Sequence, residues 1–219
     1  MTRNDLVREF RIATQDQVAP YLWDTADIVR WLEEAEREAC VRRRLLHESA
    51  LPDVCQIVIA PGVAVYPLHP KLYELDHIGF KEEGDTRRRP IEQVSTGYLD
   101  NTVPEWRDRA GCPRYAVQGD TTLRLVPTPD QAGTLFLEGY RLPLEVAGAT
   151  TFEIHQAHHR NLLDWALFRA FSVPDADTLD LNRSEVAEKA FAEYFGDRPD
   201  SDLRRLTRTD LDQHNVAWP

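Results

Sequence analysis

The sequence predicts an α+β fold: a helical bundle formed by N-terminal and C-terminal helices, with an antiparallel β-sandwich or barrel module inserted between them. Three observations carry this expectation. Apolar residues recur at helical spacing after residue 24 and again after residue 152. Between residues 53 and 140 the pattern changes to short alternating runs separated by proline, glycine and charged turns, the pattern of many short antiparallel strands. With 219 residues, the chain is long enough for one large core or two small ones. The expected organisation is an N-terminal arm and first helix over 1–50, the β module over 51–150, helices completing the bundle over 151–196, and an extended tail over 197–219.

Residues 1–20 are polar and mixed. Phe10 and Ile12 alternate with charges, which fits an extended arm or a short docking helix. Asp24 is a candidate N-cap. After it Ile28, Leu32, Ala35 and Ala39 define one helical face, so a helix is expected over 25–47. Its acids come early and Arg42, Arg43 and Arg44 come late, which suits the helix dipole. Strands are expected at 55–59, 63–66, 75–80, 89–94, 115–118, 122–126 and 134–139, with a loop and short helix across 98–109. Pro127, Pro129 and Gly133 lie between the last two strands and read as the loop of a hairpin. Helical period returns at Phe152, and Leu162, Leu163, Ala166, Leu167, Ala170 and Phe171 form a broad apolar face. A last helix is expected over 182–195, with Val186, Ala190 and Phe191 inward and Gly196 as its stop.

Composition narrows the function. The formal net charge is −11, and the pI is about 5.1. A surface that grips nucleic acid needs concentrated lysine and arginine, which argues against that class. A wall past which DNA slides is compatible with acid, because like charge prevents sticking. Cys40, Cys55 and Cys112 are far apart and form no C-x-x-C pair, so they read as small buried hydrophobes. No basic segment followed by an apolar one opens the sequence, so no secretory signal is expected. The longest apolar runs are broken by Pro61 and Gly62, so no membrane contact is expected.

Candidate sites are few. His155, His158 and His159 are the one cluster of metal-ligand types. Gln156 stands where a zinc peptidase would need its glutamate, so no metal and no cofactor is expected. The histidines read instead as a solvated turn or a subunit contact. Arg42, Arg43 and Arg44, and Arg87, Arg88 and Arg89, read as solvated faces, salt bridges to a neighbouring subunit, or phosphate contacts. Trp23, Trp31, Trp106 and Trp165 read as core or core-edge residues. Trp218 lies in a polar tail, and tryptophan is a favoured interface anchor. Leu211, Val216 and Trp218 are therefore candidate docking residues for a partner or a neighbouring subunit. No P-loop, nucleophile elbow or dinucleotide fingerprint is present, so no catalytic residue is assigned.

Several runs carry a resemblance. They are Pro20-Tyr21-Leu22-Trp23 before Trp31-Leu32-Glu33-Glu34-Ala35, then Trp106 with Gly111-Cys112-Pro113-Arg114-Tyr115, then Leu123-Arg124-Leu125-Val126-Pro127-Thr128-Pro129. The last is His159-Arg160-Asn161-Leu162-Leu163-Asp164-Trp165. In this order and spacing the chain resembles the head-to-tail adaptor (connector) proteins of tailed bacteriophages, in particular the tail-tubular-A-like type of short-tailed phages. The resemblance implies a structural virion protein and no enzyme. It implies a homo-oligomeric ring, commonly a dodecamer, stacked under the portal protein, with the helical part toward the portal and the β part toward the tail tube, nozzle or hub. DNA would pass through the lumen without sequence-specific binding. The place implied is the virion neck, after assembly in the host cytoplasm. Two other classes stay open on the residues alone. One is a tail-associated cell-wall glycan hydrolase, which would need two acids about 5–10 Å apart. The other is a glycan- or protein-binding β module displaying Tyr66, Tyr73 and Tyr98.

Overall fold

A computed structural model describes residues 1–144, 149–175 and 178–199. In chain order its elements begin with α1 (Arg3–Thr14), α2 (Thr25–Arg43), β1 (His47–Glu48), α3 (Pro52–Cys55), β2 (Gln56–Ile59) and β3 (Val65–Pro67). They continue with β4 (Leu72–Glu82), β5 (Arg89–Pro90), β6 (Glu92–Gln93), α4 (Thr96–Thr102), β7 (Tyr115–Gln118) and β8 (Thr122–Val126). The last are β9 (Gly133–Arg141), a 3₁₀ turn (Gln156–Asn161), α5 (Leu162–Phe171) and α6 (Leu181–Phe195). The α+β class and the helices at both ends agree with the expectation. The chain divides into a helical unit, Met1–Leu46 with Arg141–Arg198, and a β unit built on His47–Tyr140.

In the helical unit, the first residues form a helix rather than an extended arm. Thr2 and Asp5 make a reciprocal capping box that satisfies two end N–H groups of α1. Its spacing then buries Leu6 and Phe10 and leaves Ile12 exposed. α2 starts on the Asp24 cap, as expected, but ends at Arg43 instead of reaching residue 47. Arg44 turns left-handed (φ 52°), which closes the helix, and His47 then enters a strand opposite Tyr140. Phe152 and Ile154 are buried, yet the helix after them begins only at Leu162, behind the 3₁₀ turn. Phe10, Trp23 and Phe171 meet edge to face at 5.6 and 5.9 Å, and Phe191 packs on Phe195 at 4.6 Å. Each fully buried Phe or Leu here is worth about 1.5–3 kcal/mol. The expectation for Val186 is overturned: it points out and is 70 % exposed, while Ala187 and Phe191 supply the inner face of α6.

The β unit holds two sheets. One has the order β1-β9-β4-β5, with β2 also paired to β9; the other has the order β3-β8-β7-β6. The expected hairpin of residues 122–126 and 134–139 does not form. β8 pairs with β3 and β7 in one sheet, and β9 belongs to the other. Pro127 and Pro129 have no N–H for a ladder. The carbonyls of Thr128 and Pro129 are taken by the amides of Gly111 and Gly62, so the loop crosses between sheets. The expected strand 89–94 is split, because Ile91 donates its N–H to Ile78 and buries its side chain. The second piece, β6, pairs with β7 in parallel, an exception to the antiparallel pattern. Residues 52–55 form a helical turn before β2, with Pro52 in its first turn.

Two close contacts fix β4, one within its sheet and one from the other sheet. A Cβ on Gly139 would lie 2.9 Å from the Leu75 Cα and closer still to the Glu74 carbonyl, so glycine is required where β9 passes β4. Gln118, buried at the end of β7, crosses to β4. Its side chain accepts from the Leu75 N–H at 3.3 Å and donates to the Tyr73 carbonyl at 3.2 Å.

Candidate interaction surfaces

The two arginine runs have different settings. Arg42 extends along the bundle, its side chain only 7 % exposed, with Nε donating to Glu38 at 2.9 Å. Its Nη1 donates to the Gly196 carbonyl, and Arg43 donates to the Tyr194 carbonyl at 2.6 Å. These cations satisfy orphan carbonyls at the C-terminal end of α6, the end that attracts positive charge. Arg44 is exposed beside them. In the β unit, Arg87 is exposed and Arg88 lies 3.6 Å over the Phe136 ring. Arg89 reaches Glu82, Asp85 and the Cys112 thiol. The Arg87 amide, then the Thr86 amide and Arg89, holds the Asp85 carboxyl below the usual aspartate range.

The three histidines separate into three roles. His155 caps the 3₁₀ turn by accepting from the Ala157 amide. His158 bonds the Tyr194 hydroxyl at 3.1 Å, and burial with Arg43 nearby pushes its pKa down. Both ring nitrogens of His159 lie 2.9 Å from backbone carbonyls, those of Met1 and Ile154. No group of three or more metal-ligand side chains is arranged to hold an ion among the described residues. Glu36 is another buried polar anchor. It accepts the Glu153 and Ile154 amides, and burial raises its pKa despite those bonds.

Two surfaces escaped the reading of the sequence. In the helical unit, a groove of about 290 Å³ runs between α5 and α6. Its apolar walls are Leu167, Phe171, Val186, Ala187 and Ala190, and Asp164, Asn182 and Arg183 are its polar lining. Burial pushes Asp164 up to about 6, only partly offset by Arg160 one turn earlier. Asp164 makes no hydrogen bond or ion pair among the described residues. Its one signal in the sequence is a lone acid inside the apolar run 162–168. In the β unit, β2 is an outer strand without a charged residue, and Val58 on it is 82 % exposed. Val63 and Val65 follow, also exposed. Outer strands normally carry charge or proline, as β5 does with Arg89 and Pro90.

An exposed apolar groove and an uncharged sheet edge are surfaces that an assembly component presents. A family model for the SU10 adaptor protein matches residues 1–214. The chain belongs to this family. No curated protein matches it. The SU10 adaptors are phage head-to-tail adaptors, so this chain has a structural role in a virion. No helix of the described residues is long and apolar enough to cross a membrane. Leu211, Val216 and Trp218 of this adaptor lie outside the described residues.

Proposed function

We propose that this adaptor forms a ring, commonly of twelve copies, that joins the portal to the tail at the neck and lets DNA pass through its centre. The observation that carries this reading is the combination of family membership with two separately cored units, each with its own exposed apolar surface. The helical unit offers the α5–α6 groove and the β unit offers β2, Val63 and Val65. Many weak contacts made at once around a ring raise the effective concentration, so each contact alone need not be strong. The exposed members of the arginine runs (Arg43, Arg44, Arg87, Arg88 and Arg89) remain proposed partner contacts, with Leu211, Val216 and Trp218 as proposed docking residues of the tail. An acidic chain fits a lumen that repels the DNA backbone. The hydrolase alternative has less support. Asp164 has the raised pKa of a general acid, but no second carboxylate lines its groove among the described residues.

The test is direct imaging of the purified chain mixed with its portal. The expected result is a ring stacked coaxially on the portal. Portal particles without added density, at concentrations far above those in an infected cell, would reject the proposal.

A further inference from the structure

We infer that the α5–α6 groove is the seat for α1 of a second copy of this chain, with Arg8 of one copy meeting Asp164 of the next. The inference rests on the ring reading and names the contact that would close the ring. The groove is mostly apolar, with Asn182 and Asp164 in its lining, and the Asp164 carboxyl sits half-buried without a hydrogen bond or ion pair among the described residues. Keeping such a carboxylate out of water costs stability unless something compensates it. Arg183 also lines the groove but is committed elsewhere. Its guanidinium lies 4.0 Å over the Phe171 ring and donates to the Ala13 carbonyl.

The complementary surface is on α1. Arg8 and Ile12 are one turn apart on the same helix face and both are exposed. Arg30, Arg37, Arg169 and Arg198 each face a carboxylate within 4 Å, whereas Arg8 makes no such pair among the described residues. The order also matches. Along α5 the acid comes first and the apolar Leu167 and Phe171 follow; along α1 the cation comes first and Ile12 follows. Ala187 and Ala190 on the groove wall leave room for a close helix approach. Groove and ridge are different surfaces of one chain. Their pairing is therefore head to tail, the contact type that generates rings. Between subunits of net charge −11, one cation placed opposite one buried acid also selects register.

Charge reversal tests this in the full chain. Asp164→Arg and Arg8→Glu are each mixed with portal, and ring formation is followed by sedimentation and imaging, with circular dichroism reporting the fold. Each single variant should need at least tenfold more protein to form rings, and the double variant should return to within about threefold of wild type. Asp164→Asn, which keeps the groove's shape, should weaken assembly in the same direction. Wild-type rings with either reversal forming rings at the wild-type concentration, or with the double variant no better than the singles, overturn the contact and leave the ring reading intact. Failure of the wild-type chain to form rings overturns the ring reading and this contact with it.

Discussion

The helical unit and the β unit solve the same problem, holding together segments far apart in sequence, with different chemistry. The helical unit uses polar side chains, several of them buried or half-buried, as ties between distant segments. Glu36 on α2 holds the 153–154 backbone, His159 holds the Met1 carbonyl, and Arg42 and Arg43 hold the end of α6. The β unit uses its backbone. Its strands are tied by ladders, and its close contact depends on the missing side chain of Gly139. Gln118 is a long-range tie of the helical kind within it. A helix satisfies its own backbone and has only side chains to offer a neighbour, whereas a strand must find its partners elsewhere.

That contrast can be broken by substitution. The largest effect is expected for Gly139→Ala, where the new methyl meets backbone on β4 that cannot move aside. The loss should be about 3 kcal/mol, read from urea unfolding. Amide exchange should show the lost protection within residues 47–140, with the amides of α2 and α5 unchanged. Next, Glu36→Ala should cost about 2 kcal/mol because two amides lose their acceptor. Glu36→Gln keeps an acceptor and should cost much less. Equal losses for the two variants would mean that packing, not the two hydrogen bonds, makes the tie. The smallest effect is a gain. Asp164 is raised from 3.8 to about 6 in the folded chain. The folded state therefore binds the extra proton more tightly, and stability falls as pH rises from about 4 through about 6. At pH 7 the full cost is present, so Asp164→Asn should stabilise the unassembled chain by about 1 kcal/mol, discounted for the open side of the groove. The gain should vanish near pH 4. A gain that persists at pH 4 would point to a cause other than charge.

The same contrast explains what the sequence revealed. The spacing of Ile28, Leu32, Ala35 and Ala39 located α2, and Asp24 located its start, because helical order is local. Its end was missed because a left-handed arginine at position 44 has no common sequence mark. The β strands were visible as runs, but their partners were not. Pro127 and Pro129 looked like a hairpin loop, and only the amides of Gly62 and Gly111, distant in sequence, make them a crossover. Val186 looked inward because it shares helical spacing with Ala190, yet the buried line of α6 passes through Ala187 and Phe191. Asp164 stands beside Trp165 in an apolar run, and one acid in such a run gives no sign of a groove.

The amide of Arg141 donates to the carbonyl of Leu46 at 2.9 Å. The chain therefore departs into residues 47–140 and comes back at a single doorway. A few glycines and serines in place of that whole excursion should leave the four long helices in register. On that expectation the β unit is a cassette that can be removed without redesigning the bundle that carries it.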